Sequence, residues 1–265
     1  MAYNKKLSGA QMVLVPITQV GQNRFPYVEN LRNRYIKFVD FHPAAYLPGT
    51  DATGLQTNAD MFVTLYDKNG TQRLIDSLPL ERFDYSATDG VRQQIGYEIS
   101  LENSFVICQD ANQIGKVAAF VFWYDLPQYS SKNDTDYTIT DNFAVKLTNA
   151  TRYNQLPDEE RMTGKRFRKI LVAAPSITPN YKTGVTAAQL PNLYLTLRKG
   201  SYLVADNIPL SLLRQIKMLE KSEWSNIIFD FQSSYITIGG AGTIPNVNTD
   251  YVGKYVFFNV QYERK

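Results

Sequence analysis

The chain has 265 residues, and a hydrophobic content of 44% excludes an intrinsically disordered protein and is enough for one large core or two modest ones. Its 28 basic and 25 acidic residues leave a net charge of +3. This charge is too small and too evenly spread to indicate a surface devoted to nucleic acid.

The apolar segments are too short to cross a membrane or to direct export. The longest apolar run, Val117 to Tyr124, has eight residues, whereas a membrane helix needs about 20. Near the N-terminus, Pro16 ends an apolar stretch that begins at Met12, too short for a signal-peptide core. Cys108 is the only cysteine and lies in an alternating apolar run, which predicts a buried side chain. We therefore expect a soluble protein made in a reducing compartment.

The first half of the chain has the pattern of several short strands separated by polar turns. β-Branched and aromatic residues alternate with polar ones, as is typical of half-buried strands. Asn69-Gly70 indicates a hairpin, and Asn103-Ser104 predicts a tight turn between two later strands. The predicted strands lie near Met12–Thr18, Tyr35–Phe41, Met61–Tyr66, Arg73–Asp76, Tyr97–Leu101, Phe105–Cys108 and Lys116–Tyr124.

A motif in the first half, IDSLPLERF at Ile75–Phe83, has a counterpart, ADNIPLSLL, at Ala205–Leu213. In each copy a small polar residue, Ser77 or Asn207, stands two residues before a proline. We expect its side chain to cap a short helix whose first turn holds that proline. In the second half, apolar residues continue at helical spacing and predict a helix over Pro209–Lys221.

This motif belongs to a repeat that covers nearly the whole chain. Blocks of the first half recur in the same order in the second, and the length differences fall in loops rich in glycine, asparagine and threonine. The matched blocks are Asn33–Phe41 with Lys165–Ala173 at an offset of 132 residues, Met61–Gly70 with Leu193–Gly200, Tyr97–Ile107 with Ile227–Thr237, and Gly115–Asp125 with Gly253–Glu263. We infer a tandem duplication in which each half is one folding unit.

The number and spacing of the strands predict the fold class. Each half has seven or eight short strands, which favours an antiparallel sandwich with Greek-key connections. The chain is therefore expected to be all-β, with two tandem β-sandwiches and short helices between strands. The polar stretch Pro127–Asp136 predicts the boundary between the halves, which gives domains at residues 1–132 and 133–265.

Residues that commonly carry chemistry form no recognisable pattern. His42 is the only histidine, so a three-histidine metal site is impossible, and its position at a strand end favours a structural role. The acidic run Asp158-Glu159-Glu160 is typical of a solvated loop, although sequence alone leaves open a sandwich glycosidase with two converging acids. We predict no catalytic, cofactor-binding or metal-binding residues, no cofactor and no enzymatic activity.

Two further segments have structural explanations. Ile238–Pro245 is glycine-rich but lacks the spacing of nucleotide-binding loops, so a flexible connection is favoured. Gly164–Lys169 is the densest basic run, and protection of a strand edge explains its charges as well as phosphate binding does. We expect no sequence-specific binding of nucleic acid. The 18 tyrosines and 14 phenylalanines suit both cores and extensive contact surfaces.

The repeat, the strand count and the helices expected after Pro79 and Pro209 together resemble the double jelly-roll major capsid proteins of tailless icosahedral viruses. The resemblance covers Gln11 to Glu263 and rests on architecture, because that family has no diagnostic short motif. It implies a first jelly roll with an N-terminal arm at residues 1–132 and a second jelly roll at residues 133–265. It also implies homotrimers whose six similar lobes make a pseudo-hexagonal capsomer that tiles an icosahedral shell.

The same resemblance implies the surroundings of the protein. It would be made in the host cytoplasm and end in the virion. Its partners would be other copies of itself, other virion proteins and, where the virion has one, an internal membrane reached by the N-terminal arm.

Two other functions remain open from the sequence. A ring or appendage protein of a virion would form rings or fibres instead of closed trimers. A carbohydrate-binding β-sandwich module would be stabilised against heat by its sugar.

Overall fold

The computed structural model describes residues 8–58, 60–85, 92–125, 138–149, 153–173, 177–178, 182–214, 227–239 and 249–263. Within them the protein is all-β, as expected, and its helical segments are 3₁₀ turns of three or four residues. No helix in these ranges is long and apolar enough to cross a membrane. The chain divides into a compact N-terminal unit, Ala10–Asp125, and a compact C-terminal unit, Leu126–Lys265 with Met1–Gly9. The expected boundary segment, Pro127–Asp136, lies outside the described residues.

The N-terminal unit is built from antiparallel strand pairs. Its described strands are β1 (Ser8–Pro16), β2 (Gly21–Arg24), β3 (Tyr35–His42), β4 (Met61–Asp67), β5 (Arg73–Pro79), β6 (Gln93–Cys108) and β7 (Val117–Asp125). Neighbours follow the order β1-β7-β3-β6 in one group and β2-β6-β4-β5 in the other. Strand β6 belongs to both groups because its residues 93–98 pair with β3 and its later residues pair with β4.

Strand β6 also corrects one expectation. Asn103 and Ser104 lie inside this strand, so the tight turn predicted there is wrong. The pairing of β6 with β4 passes directly from Ser100 to Phe105, and the residues between them bulge out of the ladder. The bulge closes on itself because the Ser104 hydroxyl donates to the Ser100 carbonyl at 2.6 Å. A polar pair that indicates a turn can therefore be accommodated without ending the strand.

The C-terminal unit has the same strand order. Its described strands are β8 (Thr138–Lys146), β9 (Asn154–Gln155), β10 (Phe167–Ala173), β11 (Ile177–Thr178), β12 (Lys182–Thr183), β13 (Leu193–Lys199), β14 (Tyr202–Pro209), β15 (Tyr235–Ile238) and β16 (Tyr255–Glu263). Neighbours follow β8-β16-β10 and β9-β15-β13-β14, with a small hairpin β11-β12. Strands β8, β9 and β10 correspond to β1, β2 and β3, and the hairpin β13-β14 corresponds to β4-β5. Strand β15 corresponds to the end of β6, and β16 corresponds to β7.

The two units also share the register of their strand pairs. Phe62 lies opposite Pro79 in the β4-β5 hairpin, and Tyr194 lies opposite Pro209 in the β13-β14 hairpin. Both hairpins then show register irregularities at equivalent steps. Because hydrogen-bond register is set residue by residue, this agreement is stronger evidence that the two units are equivalent than a similar number of strands would be.

One expected alignment of the repeat needs a correction of one residue. Ile36 lies opposite Tyr124, and Phe167 lies opposite Tyr262, with a register shift after each pair. Phe167 is therefore equivalent to Ile36, and the expected offset of 132 residues for this block is wrong by one. An offset of 132 residues makes Phe167 equivalent to Tyr35, which is 46% exposed, whereas Ile36 and Phe167 are both fully buried. The residues that share a register position therefore also share burial.

The Pro-Leu motif is a strand irregularity followed by a 3₁₀ turn. Ser77 and Asn207 have φ of 49° and 52°, in the left-handed region. Within the described residues neither side chain caps the turn that follows, so the predicted capping role is wrong. The turns Leu80–Phe83 and Leu210–Leu213 instead start directly after the prolines. The continuous helix predicted over 209–221 is wrong in its described part, because the 3₁₀ turn ends at Leu213 and Arg214 is extended and forms a bridge with Val172. Residues from 215 to 221 lie outside the described part.

Each unit buries its own aromatic cluster. In the N-terminal unit the Phe120 ring lies 5.1 Å from Phe25 and 5.8 Å from Phe41. In the C-terminal unit the Phe167 ring lies 4.7 Å from Phe229 and 5.9 Å from Tyr262. Such rings bury about 150–250 Å² each and dominate core energetics, so many of the aromatic residues are structural.

Candidate functional site

The two residue types most often used in chemistry are buried in the N-terminal unit. His42 is the last residue of β3 and is almost fully buried. Cys108 is also buried, as expected, and its thiol donates to the Asp110 carbonyl at 3.2 Å. Among the described residues, no group of three or more histidine, cysteine and acidic side chains could hold a metal ion.

The acidic run at 158–160 makes ordinary surface contacts. Asp158 accepts a hydrogen bond from the Gln232 amide at 3.1 Å. Glu159 lies 3.5 Å from Arg161, which also approaches Asp141 at 3.3 Å. These acids therefore belong to a charged surface network, which contributes little to stability.

The basic run at 164–169 is partly neutralised inside the C-terminal unit. Arg168 lies 2.7 Å from Glu263, and Arg166 lies 3.8 Å from the same residue. All three side chains are mostly buried, and Glu263 reaches them from the end of β16. The arginines therefore serve an internal ion pair. The glycine-rich segment 238–245 is described only through Gly239.

A buried polar cluster in the N-terminal unit was not anticipated from the sequence. The Arg92 guanidinium Nε lies 3.1 Å from Asp40 Oδ2, and the Trp123 indole N–H donates to the same oxygen at 2.6 Å. The guanidinium also stacks between rings, 4.3 Å from the centroid of Trp123 and 4.9 Å from that of Tyr85. The ion pair with Asp40 and the cation–π contacts together compensate the burial of this charge.

This cluster is particular to the N-terminal unit. By strand register, Asp40 is equivalent to Leu171 and Trp123 to Gln261. The sequence signal that could have revealed it is the lone acid in the apolar strand IKFVDF, because a carboxylate is almost never buried without a partner. The arrangement positions β3 against β7 and has no opening for a substrate among the described residues, since Asp40 is fully buried.

An open surface cleft of about 530 Å³ lies in the same unit, and we call it the tyrosine cleft. It is lined by two tyrosines, Tyr35 and Tyr97, two amides, Asn69 and Gln72, and four charged side chains. Tyr35 and Tyr97 are 46% and 60% exposed. Gly96, close to the Tyr35 hydroxyl, has a φ of 76°, in the left-handed region that favours glycine.

The charged residues of the tyrosine cleft are paired with one another or with the backbone. Lys68 donates to Glu98 at 3.2 Å, and Arg73 lies 2.8 Å from Asp76 just beyond the cleft. Asp67 accepts the backbone N–H groups of Gln72 and Thr71 at 2.9 and 2.8 Å. The Gln72 bond, the largest influence, holds the pKa of the Asp67 carboxyl below its ordinary value.

The described part of the C-terminal unit does not repeat the tyrosine cleft. The register places buried Arg166 where Tyr35 stands, and buried Ile227 where Tyr97 stands. The hairpin between β13 and β14 is also two residues shorter than the one between β4 and β5. Tyr97 alternates in the sequence with the buried Ile99, so periodicity predicts the same face for both residues and does not reveal the exposure of this tyrosine.

Comparison of the chain with protein-family models, with curated proteins and with solved structures finds no match.

Proposed function

We propose that this chain is a major capsid protein with two jelly rolls, which forms homotrimeric capsomers of an icosahedral shell. The strand order supports it. In a jelly roll of eight strands, one sheet has the order 1-8-3-6 and the other 2-7-4-5. The N-terminal unit follows this order when the two parts of β6 are counted as strands six and seven.

The observation that carries the proposal is the agreement between the two units. The C-terminal groups β8-β16-β10 and β9-β15-β13-β14 follow the same order, with equivalent hairpin registers. The bridge between Phe167 and Ile227 falls where strand six of a jelly roll would pair with strand three.

A chain with two equivalent β units suits a threefold assembly. Three copies present six similar lobes, so a closed trimer can occupy a nearly six-coordinated position in a lattice. The function is structural and requires no enzymatic activity. The N-terminal arm comprises residues 1–7, which lie outside the described residues. It would reach a neighbouring trimer or an inner layer of the virion.

Light scattering on the purified chain tests the trimer. A single species near 91 kDa, about three times the 30.2 kDa chain, is expected. Negative-stain electron microscopy of that species should show six lobes. A monomer at all concentrations would contradict the proposal, and open rings or fibres would favour a virion appendage.

A deletion separates assembly from trimer formation. Removal of residues 1–7, which precede β1, should leave the 91 kDa species intact and reduce the yield of closed shells, because the arm lies outside the repeat. A matched chain that carries seven unrelated polar residues in place of the arm controls for length. Unchanged shell yield in both would refute the role of the arm without affecting the trimer.

A further inference from the structure

We propose that the tyrosine cleft binds an uncharged oligosaccharide. This goes beyond the capsid function and does not depend on it. The first support is the exposure of two aromatic side chains in one concave place. Exposed aromatic groups in a cleft mark ligand sites more often than isolated surface residues do. A pyranose ring offers flat C–H faces that stack on tyrosine, and its hydroxyl groups suit the phenolic ends.

The charge pattern indicates a neutral ligand. The lining charges, Asp67, Glu98, Lys68 and Arg73, balance to zero and all have partners. An anionic sugar would need an uncommitted base, and here Arg73 is held by Asp76 and by the Tyr66 hydroxyl at 3.0 Å. Binding of a charged ligand would therefore require existing ion pairs to break.

The groups that remain available are neutral. The side chains of Tyr35, Tyr97, Asn69 and Gln72 make no hydrogen bond to other groups in the described part of the chain. Together they offer two hydroxyls and two amides, each of which can both donate and accept. Sugar hydroxyls also donate and accept, so the two sets are complementary.

A sugar fits this cleft better than a second protein surface does. A protein partner that covered the cleft would bury the ion pairs Lys68–Glu98 and Arg73–Asp76, which are more than a third exposed on both sides. The free-energy cost of removing such charges from water is about as large as the gain from their mutual attraction. An oligosaccharide can rest on the tyrosines and leave these charges in water.

The cleft is a local addition to the repeated architecture. It exists because the β4-β5 hairpin is two residues longer than its counterpart and because tyrosines replace the buried residues Arg166 and Ile227. A feature found in only one of two equivalent units is not required by the fold that they share. A binding site acquired by one unit alone would have this property, because it would be absent from the equivalent position of the other unit.

The test is a titration of the full-length protein with named sugars. Isothermal calorimetry with maltohexaose, cellohexaose, mannohexaose and chitohexaose covers neutral chains, and 3′-sialyllactose and a heparin hexasaccharide cover anionic ones. We expect binding to at least one neutral hexasaccharide, and a loss of affinity of about tenfold or more in Tyr97→Ala and in Tyr35→Ala. Tyr97→Phe should retain most of the affinity because the ring face remains.

The matched control is Tyr202→Ala, since Tyr202 is 71% exposed but lies in the C-terminal unit outside the cleft. Its affinity should equal that of the unmodified protein. The proposal is overturned if no neutral sugar binds, if only the anionic sugars bind, or if Tyr97→Ala binds as well as the control. A changed particle mass in Tyr97→Ala would also overturn it, because the cleft would then be a contact between copies. Light scattering on each variant measures the mass of the assembly independently of sugar binding.

Discussion

The backbone N–H of Ser77 donates to the hydroxyl of Thr64 at 3.1 Å, across the β4-β5 hairpin. The C-terminal unit repeats this bond between Asn207 and Thr196 at 3.3 Å. Both threonines are fully buried, and both amides belong to residues in the left-handed region. The recurring Pro-Leu motif therefore encodes a kink in a strand that a threonine on the neighbouring strand stabilises.

Replacement of Thr64 by valine should destabilise the protein. Valine has the same shape but leaves the Ser77 amide without an acceptor, which costs about 1–3 kcal/mol in the free energy of unfolding. Thr196→Val should have a similar cost because its bond is equivalent. Urea unfolding measures both, and Thr64→Ser, which keeps the hydroxyl, is the control. If Thr64→Val and Thr64→Ser have equal stability, the hydrogen bond is not the cause.

Replacement of Ser77 by glycine should stabilise the protein by up to about 1 kcal/mol. A side chain at φ 49° crowds the following carbonyl, and glycine has none. Asn207→Gly should gain less, because asparagine tolerates this conformation better than serine does. Ser77→Val should lose stability, since a β-branched residue fits the conformation poorly. The melting temperatures of the three variants give the order, and a loss in Ser77→Gly would contradict the argument.

The repeat and most strands could be predicted from the sequence because buried alternation leaves a strong pattern. Strands β3 and β4 were predicted within one residue at each end. Strands β2 and β9 were missed, because short polar segments such as Gly21–Arg24 look like loops. The tyrosine cleft and the Asp40 cluster were missed because they depend on contacts between strands that are distant in sequence.

Asn23 explains how one of the missed strands is held. Its side-chain oxygen accepts the backbone N–H of Thr18 at 2.8 Å, and its amide group donates to the Gln19 carbonyl at 2.9 Å. Asn154 makes equivalent bonds to the backbone of Thr148 and Asn149. Both asparagines are buried, so their position is defined by three-dimensional packing that polar sequence does not reveal.

Asn23→Ala should destabilise the β1-β2 loop. The change removes a buried side chain that satisfies several backbone groups, at a cost of about 1–3 kcal/mol. In this variant the amides of Thr18 and Gln19 should exchange hydrogen faster than in the unmodified protein, and the increase should be larger than for amides in β7. Gln22→Ala is the control, because Gln22 lies on the same strand and its side chain is exposed. Equal exchange rates in the two variants would show that the Asn23 side chain does not stabilise the β1-β2 loop.

Asp40→Asn should be one of the most destabilising conservative changes in the chain. It leaves the Arg92 charge buried without its carboxylate, and loss of one partner of a buried pair costs about 3–5 kcal/mol. The double variant Asp40→Asn with Arg92→Met should cost less than Asp40→Asn alone, because the unpaired charge is removed while the amide oxygen at position 40 can still accept the Trp123 N–H. Urea unfolding gives both values, and a double variant less stable than Asp40→Asn contradicts the ion-pair explanation.

Acid should remove the stabilising effect of Asp67. Its pKa is lowered in the folded protein, first by the backbone N–H of Gln72, so the folded state binds this proton less readily than the unfolded state does. Its contribution is therefore complete above the unfolded pKa of about 3.9 and is lost as the pH falls through the lower folded value. Asp67→Asn has no charge at any pH, so it should be less stable than the unmodified protein near neutral pH and approach it in acid. Urea unfolding across this range measures the gap, and a gap that stays constant with pH would mean that the charge of Asp67 has no part in holding the hairpin.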